Sequence, residues 1–118
     1  MKYMLLIHQG TTPLPGTDAW NALSQEEQGR VYADYQAINQ TPGFTPGQQM
    51  SGPESATTVR VDDGRTLTTD GPFVDTKEAL GGYCFLEAEN LDAAIELAAK
   101  IPAASMGGGV EIRPIGAW

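Results

Sequence analysis

The stretch KYMLLIH, residues 2–8, constrains this chain more than any other. It is apolar, carries no helix cap and stops at a polar loop, so it reads as a strand. Side chains on a strand alternate between two faces. Tyr3, Leu5 and Ile7 therefore point one way, and Met4, Leu6 and His8 the other. Both sets are apolar as far as His8. A strand that is greasy on both flanks has to be covered on both flanks.

The rest of the chain must supply that cover. Residues 9–22 form a polar loop broken by Pro13, Pro15 and Gly16. Ser24 with Glu27 three residues later is a capping box, and Val31, Tyr35 and Ile38 follow at helical spacing. This predicts a helix from about 25 to 40, ending before Pro42-Gly43. A second strand, interrupted by Pro46-Gly47, is expected within 44–52. ATTVRV, residues 56–61, is rich in β-branched residues, and Asp63-Gly64 is a hairpin turn signal that returns Arg65 to Thr69 antiparallel.

GGYCFLEAE then reads as a central strand, with Tyr83 and Phe85 on one face and Cys84 and Leu86 on the other. Asn90 caps a second helix, helped by Asp92 near its positive end. Its expected apolar stripe is Leu91, Ala94, Ile95, Ala98 and Ile101, and Pro102 stops it. A loop of small residues leads into VEIRPI, the last strand.

The resulting order predicts an α+β fold: a ferredoxin-like antiparallel sheet with two helices on one face. No further helix remains to cover the other face. Sheet-on-sheet packing with an identical chain is the simplest solution, which predicts a homodimer of the dimeric α/β-barrel kind. The length of 118 residues and a hydrophobic share of 41% fit one domain, 1–118, with one core.

Charge and cysteine usage narrow the function. The net charge is −8, and the 7 Lys and Arg are scattered, so neither nucleic acid nor an anionic membrane is an expected partner. No run approaches the roughly 18 apolar residues of a membrane span. Cys84 is the only cysteine, so no disulfide can form within the chain, and it reads as a small buried hydrophobe. A cytoplasmic protein is expected.

The segment TTDGPFVDTKEALGG, residues 68–82, holds more than a turn requires. Asp70, Gly71 and Pro72 make the turn: Asp can bond its own backbone, and the other two are backbone devices. Phe73, Lys77 and Tyr83 could furnish the wall of a cleft, with Lys77 facing an anionic group; the commoner role of such residues is packing for the two aromatics and a solvated charge for Lys77. His8 and Asp70 are the candidate catalytic pair, His8 as general base and Asp70 fixing its tautomer or moving a proton itself. Each also has a structural reading, His8 as a bonded core-rim residue and Asp70 as a turn former. His8, Asp70, Asp75 and Glu78 have no close ligand spacing, so no metal is expected, and no motif calls for a cofactor.

The pieces MKYMLLI, TTVRV-DDG, TDGPFVDTKEALGGY and VEIRPI together resemble the YCII-related family, specifically its DGPF-domain branch. The resemblance spans nearly the whole chain. It implies the ferredoxin-like fold, a dimer, and a cleft where the two sheets meet. Some relatives look like small enzymes of aromatic degradation, and DGPF-branch proteins are associated with extracytoplasmic-function sigma factors. Two functions follow as expectations. One is a small cofactor-free enzyme doing isomerase- or lyase-type acid/base chemistry on a small molecule. The other is a non-catalytic ligand-binding or regulatory module whose partner is a sigma-factor-related protein.

Overall fold

In the computed structural model, residues 1–72 and 80–116 are described. Six strands and four helices follow in the order β1 (Lys2–His8), α1 (Asp18–Asn21), α2 (Gln25–Asn39), β2 (Phe44–Gln49), β3 (Thr57–Asp62), β4 (Arg65–Asp70), β5 (Leu80–Glu87), α3 (Leu91–Ala98), α4 (Pro102–Ser105) and β6 (Gly109–Ile115). The strands make two sheets. One is four-stranded in the order β2-β5-β1-β6, with every neighbouring pair antiparallel; the other is the β3-β4 hairpin.

The first strand takes the central place its composition demands. Tyr3 and Leu5 are fully buried against the helices, and Ile7 packs at the edge of the same cluster. Cys84 and Leu86 from β5, Ile38 from α2, and Ala94 and Leu97 from α3 complete this layer. Burial at about 25 cal/mol per Å² of apolar surface makes this cluster the main source of stability. Both long helices start as expected. Ser24 accepts from the Glu27 backbone N–H at 3.1 Å while the Glu27 carboxylate accepts from the Ser24 N–H at 3.1 Å, so two orphan donors are satisfied together. The Asn90 side chain accepts from the Ala93 N–H at 3.0 Å.

Three expectations need correction. The loop 9–22 contains a single helical turn, α1, capped by Thr17 and burying Trp20. A second single turn, α4, begins at Pro102, whose missing N–H costs nothing at the first helical position. The α-helices therefore number four among the described residues, with a 3-10 turn at Pro53–Ser55 besides, although α2 and α3 are the only ones longer than a turn. The stripe of α3 is also rotated from the expected one. Ala94, Leu97 and Ala98 are buried, and Ile101 beyond the helix end joins them, whereas Leu91 and Ile95 are 50% and 49% exposed.

The hairpin stands apart. Asp63 and Gly64 have φ of 51° and 75°, the doubly left-handed turn that matches strand twist. The ladder runs from Asp62↔Arg65 to Thr57↔Asp70. Val59 and Val61 are 60% and 69% exposed on it. The Cα radius of gyration is 16.3 Å, with principal extents of 52 × 40 × 17 Å. A compact chain of this length would have a radius of roughly 13–14 Å. The molecule is therefore thin, with one helical layer on one sheet and an arm reaching out from it.

Candidate functional site

His8 ends β1 on the face turned away from the helices, the face it shares with Met4 and Leu6. Its register partner on β6 is Gly109, where nothing lies within 4 Å of the place a Cβ would take. Glu111, two residues along the same face of β6, reaches the imidazole: His8 Nε2 lies 3.0 Å from Glu111 Oε1. The second oxygen, Oε2, accepts from Arg113 Nε at 2.6 Å. The hydrogen bonds from Arg113 and then from His8 hold the Glu111 carboxyl below the ordinary carboxylate range. Glu111 is thus ionised at neutral pH and can only accept, so the proton of this bond belongs to Nε2.

Next to this group the sheet face is apolar. Tyr83 opposes Leu6 and Phe85 opposes Met4 across β1 and β5. The two rings meet edge to face, with centroids 5.9 Å apart, and the Lys2 ammonium sits 5.6 Å from the Phe85 ring centre. Met4, Leu6, Tyr83 and Phe85 are all half-buried.

Asp70 occupies a different element. It closes β4 opposite Thr57, exposed, in the two-stranded sheet. Among the described residues, the carboxylate that meets the His8 ring is Glu111. Gly71 follows Asp70 with φ of 112°, and its N–H donates to the Ala56 carbonyl at 2.7 Å. Phe73 and Lys77, like Asp75 and Glu78, lie outside the described residues. Glu111 and Arg113 were not singled out in the sequence. Their one signal was an alternating acid–base pair on a strand, E-x-R, which means little until the register beside β1 is known.

A second feature lies on the opposite, helix-covered side of the sheet. A cavity of about 330 Å³ is bounded by the 9–15 loop, α2, β2 and the sheet itself. Ile7 and Cys84 line it from the sheet, Val31 and Tyr35 from α2, and Thr12 and Leu14 from the loop. Burial pushes the Cys84 thiol up to about 11, so it stays protonated at neutral pH. Desolvation, and then the neighbouring Cys84, raise the Tyr35 phenol above its usual range.

Backbone packing holds the loop over this cavity. Thr11 N–H donates to the Gly107 carbonyl at 3.1 Å. A Cβ on Gly10 would strike the Gly107 carbonyl, and one on Gly108 would strike the carbonyls of His8 and Gln9. Only glycine allows two main chains to lie this close. Thr12 N–H donates to the Gln9 carbonyl at 2.9 Å. Its Oγ1 is buried and has no hydrogen-bond partner among the described residues.

No described helix is long and apolar enough to cross a membrane. A family model described as the YCII-related domain matches residues 1–118. The chain is also similar to the uncharacterised protein R00369 of Rhizobium meliloti (strain 1021), with 33% identity over 104 residues that cover 84% of this chain and 82% of that protein.

Proposed function

Because the chain belongs to the YCII-related domain family, we propose that it acts as a homodimer handling a small molecule, with His8 as the proton-transferring group and Glu111, rather than Asp70, as its carboxylate partner. The segment TDGPFVDTKEALGGY supports a place in the DGPF-domain branch. The four-stranded order β6-β1-β5-β2, with the hairpin inserted between its second and third members in chain order, supports a ferredoxin-like fold.

The dimer reading rests on the sheet face that carries Met4, Leu6, Tyr83 and Phe85. These side chains are half-buried in a molecule 17 Å thick, and no helix lies over them among the described residues. A second copy packed face to face, at the usual ~10 Å between sheets, removes this surface from water and closes a barrel-like pair. His8 would then stand at the rim of the new interface, where an apolar wall and a titratable group meet.

The observation that carries the catalytic reading is the His8–Glu111–Arg113 chain. A base needs a fixed tautomer and a fixed ring. The ionised Glu111 provides both by accepting from Nε2, and Arg113 holds Glu111 in place. Proton transfer between the His8 side chain and a carbon acid, with return at another carbon or loss of a leaving group, is isomerase- or lyase-type chemistry and requires no cofactor.

The test is deuterium incorporation from D2O into a panel of enolisable lactones and keto acids, followed by NMR. Exchange of at least one compound should fall more than 100-fold in His8→Ala and about 10-fold or more in Glu111→Gln, while Asp70→Asn stays within threefold. Equal loss in Asp70→Asn and Glu111→Gln would return the pairing to Asp70. No exchange with any compound in the panel, beside an intact dimer by sedimentation, would favour the non-catalytic regulatory module.

A further inference from the structure

A group that moves a proton needs its substrate held still beside it. The sheet face that carries His8 also carries two cations. Arg113 on β6 stands opposite Met4, and Lys2 precedes Met4 by two residues on β1, so both share the face of Leu6 and His8. The chain has only 7 Lys and Arg against 15 Asp and Glu. A molecule this acidic repels anions over most of its surface and draws them to a place where cations gather.

Arg113 is presented in a way an ordinary surface cation is not. Its Nε donates to Glu111 Oε2 at 2.6 Å, which fixes one edge of the planar guanidinium. The side chain is nevertheless 68% exposed, so the far edge, with its two amino groups, faces solvent. That edge matches the two oxygens of a carboxylate, and a fork already held loses less freedom when a carboxylate docks. Lys2 is tethered as well, with its ammonium 5.6 Å from the centre of the Phe85 ring. Met4 lies between Phe85 and Arg113 in the sheet, so an apolar strip runs up to the guanidinium.

The reach between the two groups is short. Glu111 meets the imidazole at 3.0 Å with one oxygen and Arg113 with the other, so imidazole and guanidinium Nε are held less than about 8 Å apart. A molecule bridging them carries its acidic carbon a few bonds from its anionic group.

Building on the reading of His8 as the proton-transferring group, we infer that the substrate is a small carboxylate. The outer edge of Arg113 binds its anionic group, and its apolar part lies along Met4 and Phe85. Arg113 thus has two roles: it positions Glu111 and it binds the substrate.

Phenylacetate and phenylacetamide test this on the intact protein, because they share a shape and differ in charge. Binding is followed by NMR, through the backbone amides and the Arg113 Nε–H signal. Phenylacetate should shift Met4, Glu111 and Arg113, and phenylacetamide should bind at least tenfold more weakly. Arg113→Gln should weaken phenylacetate about tenfold or more, and Arg113→Lys, which keeps the charge and loses the fork, about threefold. Glu111→Gln separates the two roles of Arg113. It should leave phenylacetate binding unchanged or tighter, since the guanidinium loses a competing carboxylate, even as it slows deuterium exchange. Absence of phenylacetate binding, equal binding of the amide, no effect of Arg113→Gln, a parallel loss in Glu111→Gln, or shifts spread alike over Arg30 and Lys100 would each overturn the inference. The His8 reading fails separately, when no compound exchanges deuterium, whatever binds at Arg113.

Discussion

The β1–β5 pair and the β3–β4 hairpin are both antiparallel ladders, and both contain β-branched or aliphatic residues. Their surroundings are opposite. Along β1 every second residue from Tyr3 onward goes to the core, and Leu5 is 0% exposed. Along β3 the corresponding residues, Val59 and Val61, remain mostly in solvent. Hydrogen bonding is thus not what separates a stable strand from a marginal one. A two-stranded sheet with no hydrophobic backing is barely stable alone in water, whereas the four-stranded sheet is anchored by the layer of helices. The hairpin depends on its turn and on whatever covers its valines.

This contrast can be broken or sharpened at several points. The largest effect should come from Leu5→Ala, about 3 kcal/mol in urea unfolding, because the fully buried side chain leaves a cavity that neighbours cannot fill. A loss below 1 kcal/mol would show that β1 is not the centre of the core. Next comes raising the pH. Folded Cys84 holds its proton to about 11, above the ordinary thiol value of 9.0. Between these values the unfolded chain releases a proton that the folded one keeps, so stability falls as pH rises through this window, by roughly 2 kcal/mol. The raised Tyr35 acts in the same direction. Cys84→Ala should flatten most of the decline in a pH series of urea midpoints.

In the hairpin the effects should be smaller and local. Gly64→Ala puts a side chain at φ of 75° and costs about 1 kcal/mol. Hydrogen exchange of β3 and β4 amides should speed up about fivefold, while the β1 and β5 amides are unchanged. Smallest of all, Val59→Thr should shift global stability by less than about 0.5 kcal/mol, since the residue is already exposed. A loss of 2 kcal/mol that grows with protein concentration would instead show Val59 buried between two copies.

How much of this was legible in the sequence depends on whether the signal was local. The alternation in KYMLLIH, the Ser24–Glu27 box, the Asn90 cap and the Asp63-Gly64 turn each act over a few residues, and each sits where expected. The α3 stripe misled because Ala94 and Ala98 fit two helical faces, one with Ile95 and one with Leu97. Only the tertiary neighbours choose between them, and they chose Leu97. Thr17 and Pro102 do carry start signals, but a single turn is too short to produce a periodic pattern. At the site, His8 was visible as the chain's one histidine, at the end of an apolar strand. Its partner was not, because the distance from residue 8 to residue 111 is closed by strand register, which no spacing encodes. The cavity gathers segments from Ile7 to Met106, so no single stretch could announce it.

The glycines at 10 and 108 have a last consequence. The roof over the cavity rests where two side chains are missing, since a single methyl at 108 would collide with the carbonyls of His8 and Gln9. That residue touches the end of β1 from which His8 departs one way and the roof segment the other. A graft as small as one carbon there would tilt the lid and twist the imidazole's footing together, so the two sides of the sheet share one foundation stone.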